Sequence, residues 1–128
     1  MRLLLDTHVL LWWAHEPELL SARARDTLSH AGNELIVSAV SAMEIATKDR
    51  IGKLTYRTSL ATSFVETVVA RGLGVLSIDC EHAQRAGNLP GEHRDPWDRL
   101  LAAQAQIERL TLVSNDAKLA ALGAETLW

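Results

Sequence analysis

The sequence holds one cysteine, Cys80, among 128 residues. A single thiol cannot close an internal disulfide, and no His or Cys spacing around it suggests zinc. No base stands near it in sequence, so Cys80 reads as a packed or inert thiol rather than a nucleophile. Long apolar runs are also missing. Leu3-Leu4-Leu5 is far too short for a signal peptide or a membrane span and ends in the carboxylate of Asp6, so a cytoplasmic protein with no membrane contact is expected. There is no basic surplus either: 13 Lys and Arg against 16 Asp and Glu leave a net charge of -3. A polyanion binder usually carries excess positive charge. If RNA is the substrate, the basic residues must gather on one face, or metal ions must offset the acids. Repeats, low-complexity segments and linkers are absent.

What is present is a chain of globular composition, 48% hydrophobic and 23% charged, with the length of one domain. That length buries a substantial core without metal or disulfide staples. Short apolar runs alternate with amphipathic stretches. Strands are expected at 2–5, 34–37, 74–78, 111–114 and, less clearly marked, 125–128. Helices are expected at 8–14, 21–31 (closed by Gly32-Asn33), from Ser38 or Ser41 to about Gly52, 59–70, 80–86 and 116–122. The sharpest helix start is Asp95-Pro96-Trp97-Asp98. Asp95 suits the N-cap, Pro96 the first helical position, and Asp98 the first turn of a helix running to about Glu108. Continuous apolar strands separated by helices imply an α/β domain over 1–128, with a central parallel sheet of four to five short strands and helices on both faces.

In an open parallel sheet, sites form outside the carboxyl ends of the strands. Asp6 follows the first strand directly, and Asp116 follows the fourth after Ser114-Asn115. Asp98 begins the helix before that strand, and Glu44 lies in the helix after the second. At least four carboxylates are therefore expected to be able to converge on one rim, with no evident counter-cation among them. Close like charges are costly unless one is protonated or a cation lies between them. Oxygen-only ligands favour a hard ion such as Mg²⁺ or Mn²⁺, which can activate water for displacement at phosphorus. Each acid also has a purely structural reading. Asp6 and Asp116 suit helix caps, Asp98 suits the helix dipole, and Glu44 can pair with Lys48 one turn on.

Four segments carry a resemblance: Leu3-Leu4-Leu5-Asp6-Thr7-His8-Val9-Leu10-Leu11-Trp12, Ser38 to Lys48 centred on Glu44, His93 to Ala105 around Asp95-Pro96-Trp97-Asp98, and Leu112-Val113-Ser114-Asn115-Asp116. In this order, and over almost the whole chain, they resemble the motifs of PIN-domain proteins, above all VapC-type toxins. The resemblance implies a PIN fold, an Mg²⁺ or Mn²⁺ site and endoribonuclease activity. It also implies a homodimer and inhibition by a small antitoxin protein, with a groove beside the first helix as a seat for it. Asp6, Glu44, Asp98 and Asp116 match the family's acidic quartet, as catalytic residues and metal ligands. Trp97 stands where many relatives carry Phe, and Ser114 where many carry Thr; neither change touches a carboxylate.

Other residues leave alternatives open. Asp95 is read first as a cap. Thr7 either positions a metal-bound water or phosphate or helps to cap the first helix. Ser41 either holds the Glu44 carboxylate or caps a helix. Arg94 and Arg99 flank the third motif as candidate phosphate contacts, while Arg99 equally suits an i,i+4 pair with Asp95. His93 is a loop histidine that either touches substrate or is solvated. The first helix is apolar nearly all round, so it is either buried or covered by a partner. Two rival readings remain. An aspartate after the first strand also opens haloacid-dehalogenase-like phosphatases, but those want a second acid two residues on, where this chain has His8. A non-catalytic PIN-like binding module would be marked by lost acids, and all four are present. A DNA-cleaving nuclease of the same fold stays open.

Overall fold

The computed structural model describes residues 1–128 throughout. Five strands, β1 (Arg2–Leu5), β2 (Glu34–Ser38), β3 (Gly74–Leu76), β4 (Thr111–Val113) and β5 (Thr126–Leu127), form one sheet in the order β3-β2-β1-β4-β5. All four pairings are parallel, with Leu4 opposite Ile36 on one side and Leu112 on the other. Alternation along β1 sends its side chains to opposite faces. Leu3 and Leu5 join one apolar core with Val9, Leu10 and Ile45, while Leu4 joins a second with Val40, Leu101 and Leu112. The sheet is therefore covered on both faces, as its continuous apolar strands require.

The helices are α1 (Thr7–His15), α2 (Ala22–Ser29), α3 (Ala39–Arg50), α4 (Phe64–Ala70), α5 (Cys80–Asn88), α6 (Pro96–Ile107) and α7 (Ala117–Ala121). α1, α2 and α4 lie on the first core and α5, α6 and α7 on the second; α3 gives Ile45 to one and Val40 to the other. The all-round apolar α1 is buried in this way: Val9, Leu10 and Leu11 are buried and Trp12, Trp13 and Ala14 half-buried.

Several expected boundaries move. The stretch 59–70 is not one helix: a 3-10 turn, Ser59–Ala61, precedes α4. Hydroxyl side chains compete for its backbone, with the Leu60 N–H donating to Thr58 Oγ1. α2 stops at Ser29, before Gly32-Asn33, with His30 as its C-cap. β3 ends at Leu76, short of Ile78. Gly72 and Gly123 do act as stops, with φ of 81° and 94°, a conformation L side chains rarely adopt. Cys80 is exposed at the start of α5 rather than packed.

Chain order reverses direction at β1 and β4, since β2 and β3 lie to one side of β1 and β4 and β5 to the other. This is the switch point at which parallel sheets open a crevice beyond their carboxyl ends. Asp6 and Ser114 leave the sheet there from adjacent strands, and the Asp6 N–H donates to Val113 O at 3.2 Å.

Candidate active site

Asp6, Glu44, Asp98 and Asp116 all line one cavity of about 270 Å³ at this edge. Each is fixed by its own element. Asp6 is the N-cap of α1, accepting from the Val9 N–H at 2.8 Å, and is almost fully buried. Asp116 caps α7, accepting from the Lys118 N–H at 2.9 Å. Capping and lining the cavity are thus compatible, because a carboxylate has a second oxygen to present. Ser114, buried between them, hydrogen-bonds the Asp6 carboxyl and accepts from the Asp116 N–H at 3.0 Å. This serine registers the ends of β1 and β4 against each other.

Glu44 and Asp98 come from helices tied together below the site. Ser38, the N-cap of α3, donates to the buried Gln104 Oε1 of α6, and Gln104 Nε2 donates to Ser77 O at 3.2 Å. The Thr7 and Ser41 hydroxyls join across 2.9 Å in the interior and brace α1 against α3. Ser41 neither holds Glu44 nor caps α3, and Thr7 leaves the capping of α1 to Asp6. Thr7 still lines the cavity.

The electrostatics follow from burial. Loss of hydration holds the Asp6 carboxyl above its ordinary proton affinity. The hydrogen bonds from Ser114 and Val9 and the proximity of His8 pull it back, while Asp98 pushes it up. Asp98 is likewise raised, chiefly by desolvation; Asp95 and Asp116 add like-charge repulsion, and the hydrogen bond from His93 opposes. Asp95 and Asp116 therefore act on Asp98 through space, and Asp98 acts on Asp6.

The site does contain cationic groups, a correction to the reading of the acids alone. Lys48 Nζ lies 2.8 Å from Glu44 Oε2, a largely buried i,i+4 pair, and Lys118 lines the same cavity. His93 Nε2 lies 2.8 Å from Asp98 Oδ2. The Glu44–Lys48 spacing was visible in the sequence. The approach of His93 depends on how the 89–95 loop folds back, and no local pattern signals it.

Asp95 is the N-cap of α6, accepting from the Trp97 N–H at 2.9 Å, and it also lines the cavity. The donor atoms of His93, Asp95 and Asp98 lie within 4.8 Å of one another. The other such trio, Asp79, His82 and Glu108, does not line the acidic cavity, and its imidazole is committed on both sides. His82 Nδ1 accepts from the Asp79 N–H at 3.1 Å and Nε2 faces Glu108 Oε1 at 2.9 Å.

Arg99 does not reach the acids. Its guanidinium donates to the carbonyls of Ala86 (2.9 Å), Leu89 and His93 (3.0 Å). Two of these lie at the C-terminal end of α5, where helix carbonyls lack internal partners and attract cations. Nor does it pair with Asp95, which precedes the helix as its cap and contributes only its backbone carbonyl to the Arg99 N–H. Arg94 is exposed on a neighbouring hollow that shares His93 with the acidic cavity.

The donor set suits a divalent cation. Five carboxylates line the cavity, two of them are held back from ionising by lack of solvent, like charges act on one another, and His93 adds a nitrogen beside Asp95 and Asp98. Fold and site together define an α/β protein with an acid-lined cavity at the carboxyl edge of a parallel sheet. The PIN domain matches residues 3–125. Ribonuclease VapC22 of Mycobacterium tuberculosis is 35% identical over 120 residues, covering 91% of this chain and 88% of that one. The chain belongs to the PIN-domain family. Among solved structures, VapBC-1 from nontypeable Haemophilus influenzae matches with a TM-score of 0.69 at 15% identity, over 99% of this chain and 97% of that one. VapBC2 from Rickettsia felis, solved with a promoter DNA fragment, matches with a TM-score of 0.67 at 18% identity, over 99% and 98%. At such identities these structures speak to the fold.

Proposed function

We propose that this chain is a metal-dependent endoribonuclease, the toxin of a type II toxin–antitoxin pair. The observation that carries this reading is the convergence of Asp6, Glu44, Asp98 and Asp116 on one cavity, with Asp6 and Asp98 both held above their ordinary proton affinity by burial. The likeness to a ribonuclease over nine-tenths of the chain supports it.

Asp6, Glu44, Asp98 and Asp116 would hold Mg²⁺ or Mn²⁺. When bound, such an ion activates water and stabilises the charge that develops at phosphorus. The chain's own residues prepare the place for it. Ser114 orients Asp6 and Asp116 together, His93 holds one oxygen of Asp98, and Lys48 steadies Glu44. Lys48 and Lys118, on the cavity wall, offset charge on an entering phosphate. Thr7 stays a candidate substrate contact through its place on that wall, and Arg94 through the adjoining hollow.

A small antitoxin as inhibitor and a second copy of the chain complete the proposal. The outer face of α4 supports a protein contact, since Val65 and Val69 stand exposed one turn apart. No helix is long and apolar enough to cross a membrane, in keeping with a cytoplasmic site of action. The test is incubation of RNA with purified protein in Mg²⁺, in Mn²⁺ and in excess EDTA. Cleavage in either metal that EDTA abolishes is expected, and so is its loss in Asp98→Asn. Equal cleavage in EDTA would overturn the metal mechanism.

A further inference from the structure

Gln104 is the one polar side chain of α6 that is wholly buried, within the run Leu101-Ala102-Ala103-Gln104-Ala105. Burying an amide is costly unless its hydrogen bonds are met, and meeting them adds little net stability, so such a group contributes direction more than strength. Gln104 meets them across the carboxyl ends of two neighbouring strands. Its Oε1 accepts at 2.5 Å from Ser38, the last residue of β2 and the N-cap of α3. Its Nε2 donates at 3.2 Å to the carbonyl of Ser77, just past β3. The buried imidazole of His82 fixes which way round the amide lies. His82 Nδ1 accepts from the Asp79 N–H and lies 3.5 Å from Gln104 Nε2, so a flipped amide would aim its oxygen at two acceptors. Ser38 is equally committed: its oxygen accepts from the Val40 N–H at 3.0 Å, and its proton goes to Gln104.

Two polar struts therefore hold α3. Thr7–Ser41 joins it to α1, beside Asp6, and Ser38–Gln104 joins it to α6, which carries Asp98. The apolar packing of α3, through Val40 on one core and Ile45 on the other, is non-directional and does not by itself fix a helix against sliding. Glu44 lies six residues after Ser38 on α3, and Asp98 six residues before Gln104 on α6. Each carboxylate is thus roughly 9 Å along a helix from the strut, and a slide or tilt at the strut carries the carboxylate with it. We propose that Gln104 is a positioning residue: acting through Ser38, it sets Glu44 against Asp98 for a shared divalent ion. The inference rests on the metal-site reading above and gives that site a determinant that does not touch the ion.

The experiment is Mn²⁺ titration of the full chain followed by electron paramagnetic resonance, with folding checked by circular dichroism. Gln104→Met keeps the side-chain length and loses both bonds. It should weaken Mn²⁺ binding roughly tenfold, as loss of a residue that orients a ligand does. Ser38→Ala removes the other end of the strut and should weaken binding similarly, and the double variant should bind no worse than about twofold below either, since the two act as one unit. Gln106→Met is the control: it breaks a 2.9 Å bond from the same helix to the Leu122 carbonyl, away from α3, and should stay within about twofold of wild type. In a Glu44→Gln background, Gln104→Met should change affinity by less than about twofold, because the placement it sets has lost its object. A general loosening of the fold would not vanish there. If Gln104→Met fails to fold, Ser38→Ala takes its place, alone and with Glu44→Gln. Wild-type affinity in the folded strut variant overturns the proposal. So does an equal loss in Gln106→Met, or a loss undiminished in the Glu44→Gln background. In each case saturable Mn²⁺ binding by wild type leaves the metal site standing. No Mn²⁺ binding by wild type defeats that reading and the positioning role with it.

Discussion

Replacing Asp98 by asparagine should stabilise the metal-free protein while inactivating it. The Asp98 side chain is only 20% exposed. Its charge is opposed by lost hydration and by Asp95 and Asp116, with the hydrogen bond from His93 in partial compensation. Asparagine keeps the size, keeps an acceptor for His93 and removes the charge. One term pulls the other way: Asp98 is in the first turn of α6, where an acid contributes about 0.3–1 kcal/mol against the helix dipole. Relieving a strained functional site commonly gains about 0.5–2 kcal/mol, so a net gain near 1 kcal/mol is expected. For a chain of this length that is a rise in Tm of roughly 4 °C. The sign of the pH dependence follows. A carboxyl raised above its unfolded value of 3.8 binds more protons in the native state, so native stability falls as pH rises through the folded value. The gap between variant and wild type should therefore be open at pH ~7.5 and close as pH falls towards 3.8. Metal at about ten times its Kd should add about 1.4 kcal/mol to wild type and less to the variant. The assay is thermal melting of both proteins in EDTA and in Mg²⁺, at neutral and acid pH. A variant that melts no higher than wild type in EDTA, together with equal metal shifts, refutes the reasoning.

Arg99→Met removes three bonds to carbonyls and should cost about 2 kcal/mol in urea denaturation, while cleavage per folded molecule persists; lost cleavage at unchanged stability would make Arg99 a substrate contact instead. Asp95→Asn should keep the α6 cap and most activity, whereas Asp95→Ala should lose about 1 kcal/mol of stability. If Asp95→Asn is as inactive as Asp98→Asn, then Asp95 belongs with the catalytic acids.

What the sequence disclosed was local punctuation. Asp6 after an apolar run, Asp95-Pro96 before a helix and Gly123 after one each act within a few residues, and each stands where it was expected. The parallel sheet covered on both faces followed from apolar strands alternating with helices, although their order in space did not. The contacts that went unread join distant positions. Thr7 and Ser41 are 34 residues apart, and Ser38 and Gln104 are 66 apart. Arg99 was misread for a related reason: its i,i+4 spacing to Asp95 spans the helix start, and the carbonyls it does satisfy come from the end of α5 and the loop beyond. His93 and Ser114 fall within the third and fourth motifs, but their contacts with Asp98 and Asp6 depend on how the 89–95 loop and the end of β4 bring them there.

The central claim is that the carboxylates at the switch point of the sheet hold a divalent ion, and direct Mn²⁺ binding followed by electron paramagnetic resonance tests it without reference to RNA. Titrations of wild type, Asp6→Asn, Asp116→Asn and Asp79→Asn put the acidic cavity against the other clustered trio, Asp79, His82 and Glu108. Asparagine preserves each helix cap, so the folds should survive. Saturable binding in wild type and Asp79→Asn, weakened at least about tenfold in Asp6→Asn and Asp116→Asn by loss of a charged ligand, is the expected result. Binding that survives in Asp6→Asn and Asp116→Asn, or that is lost in Asp79→Asn alone, contradicts the account.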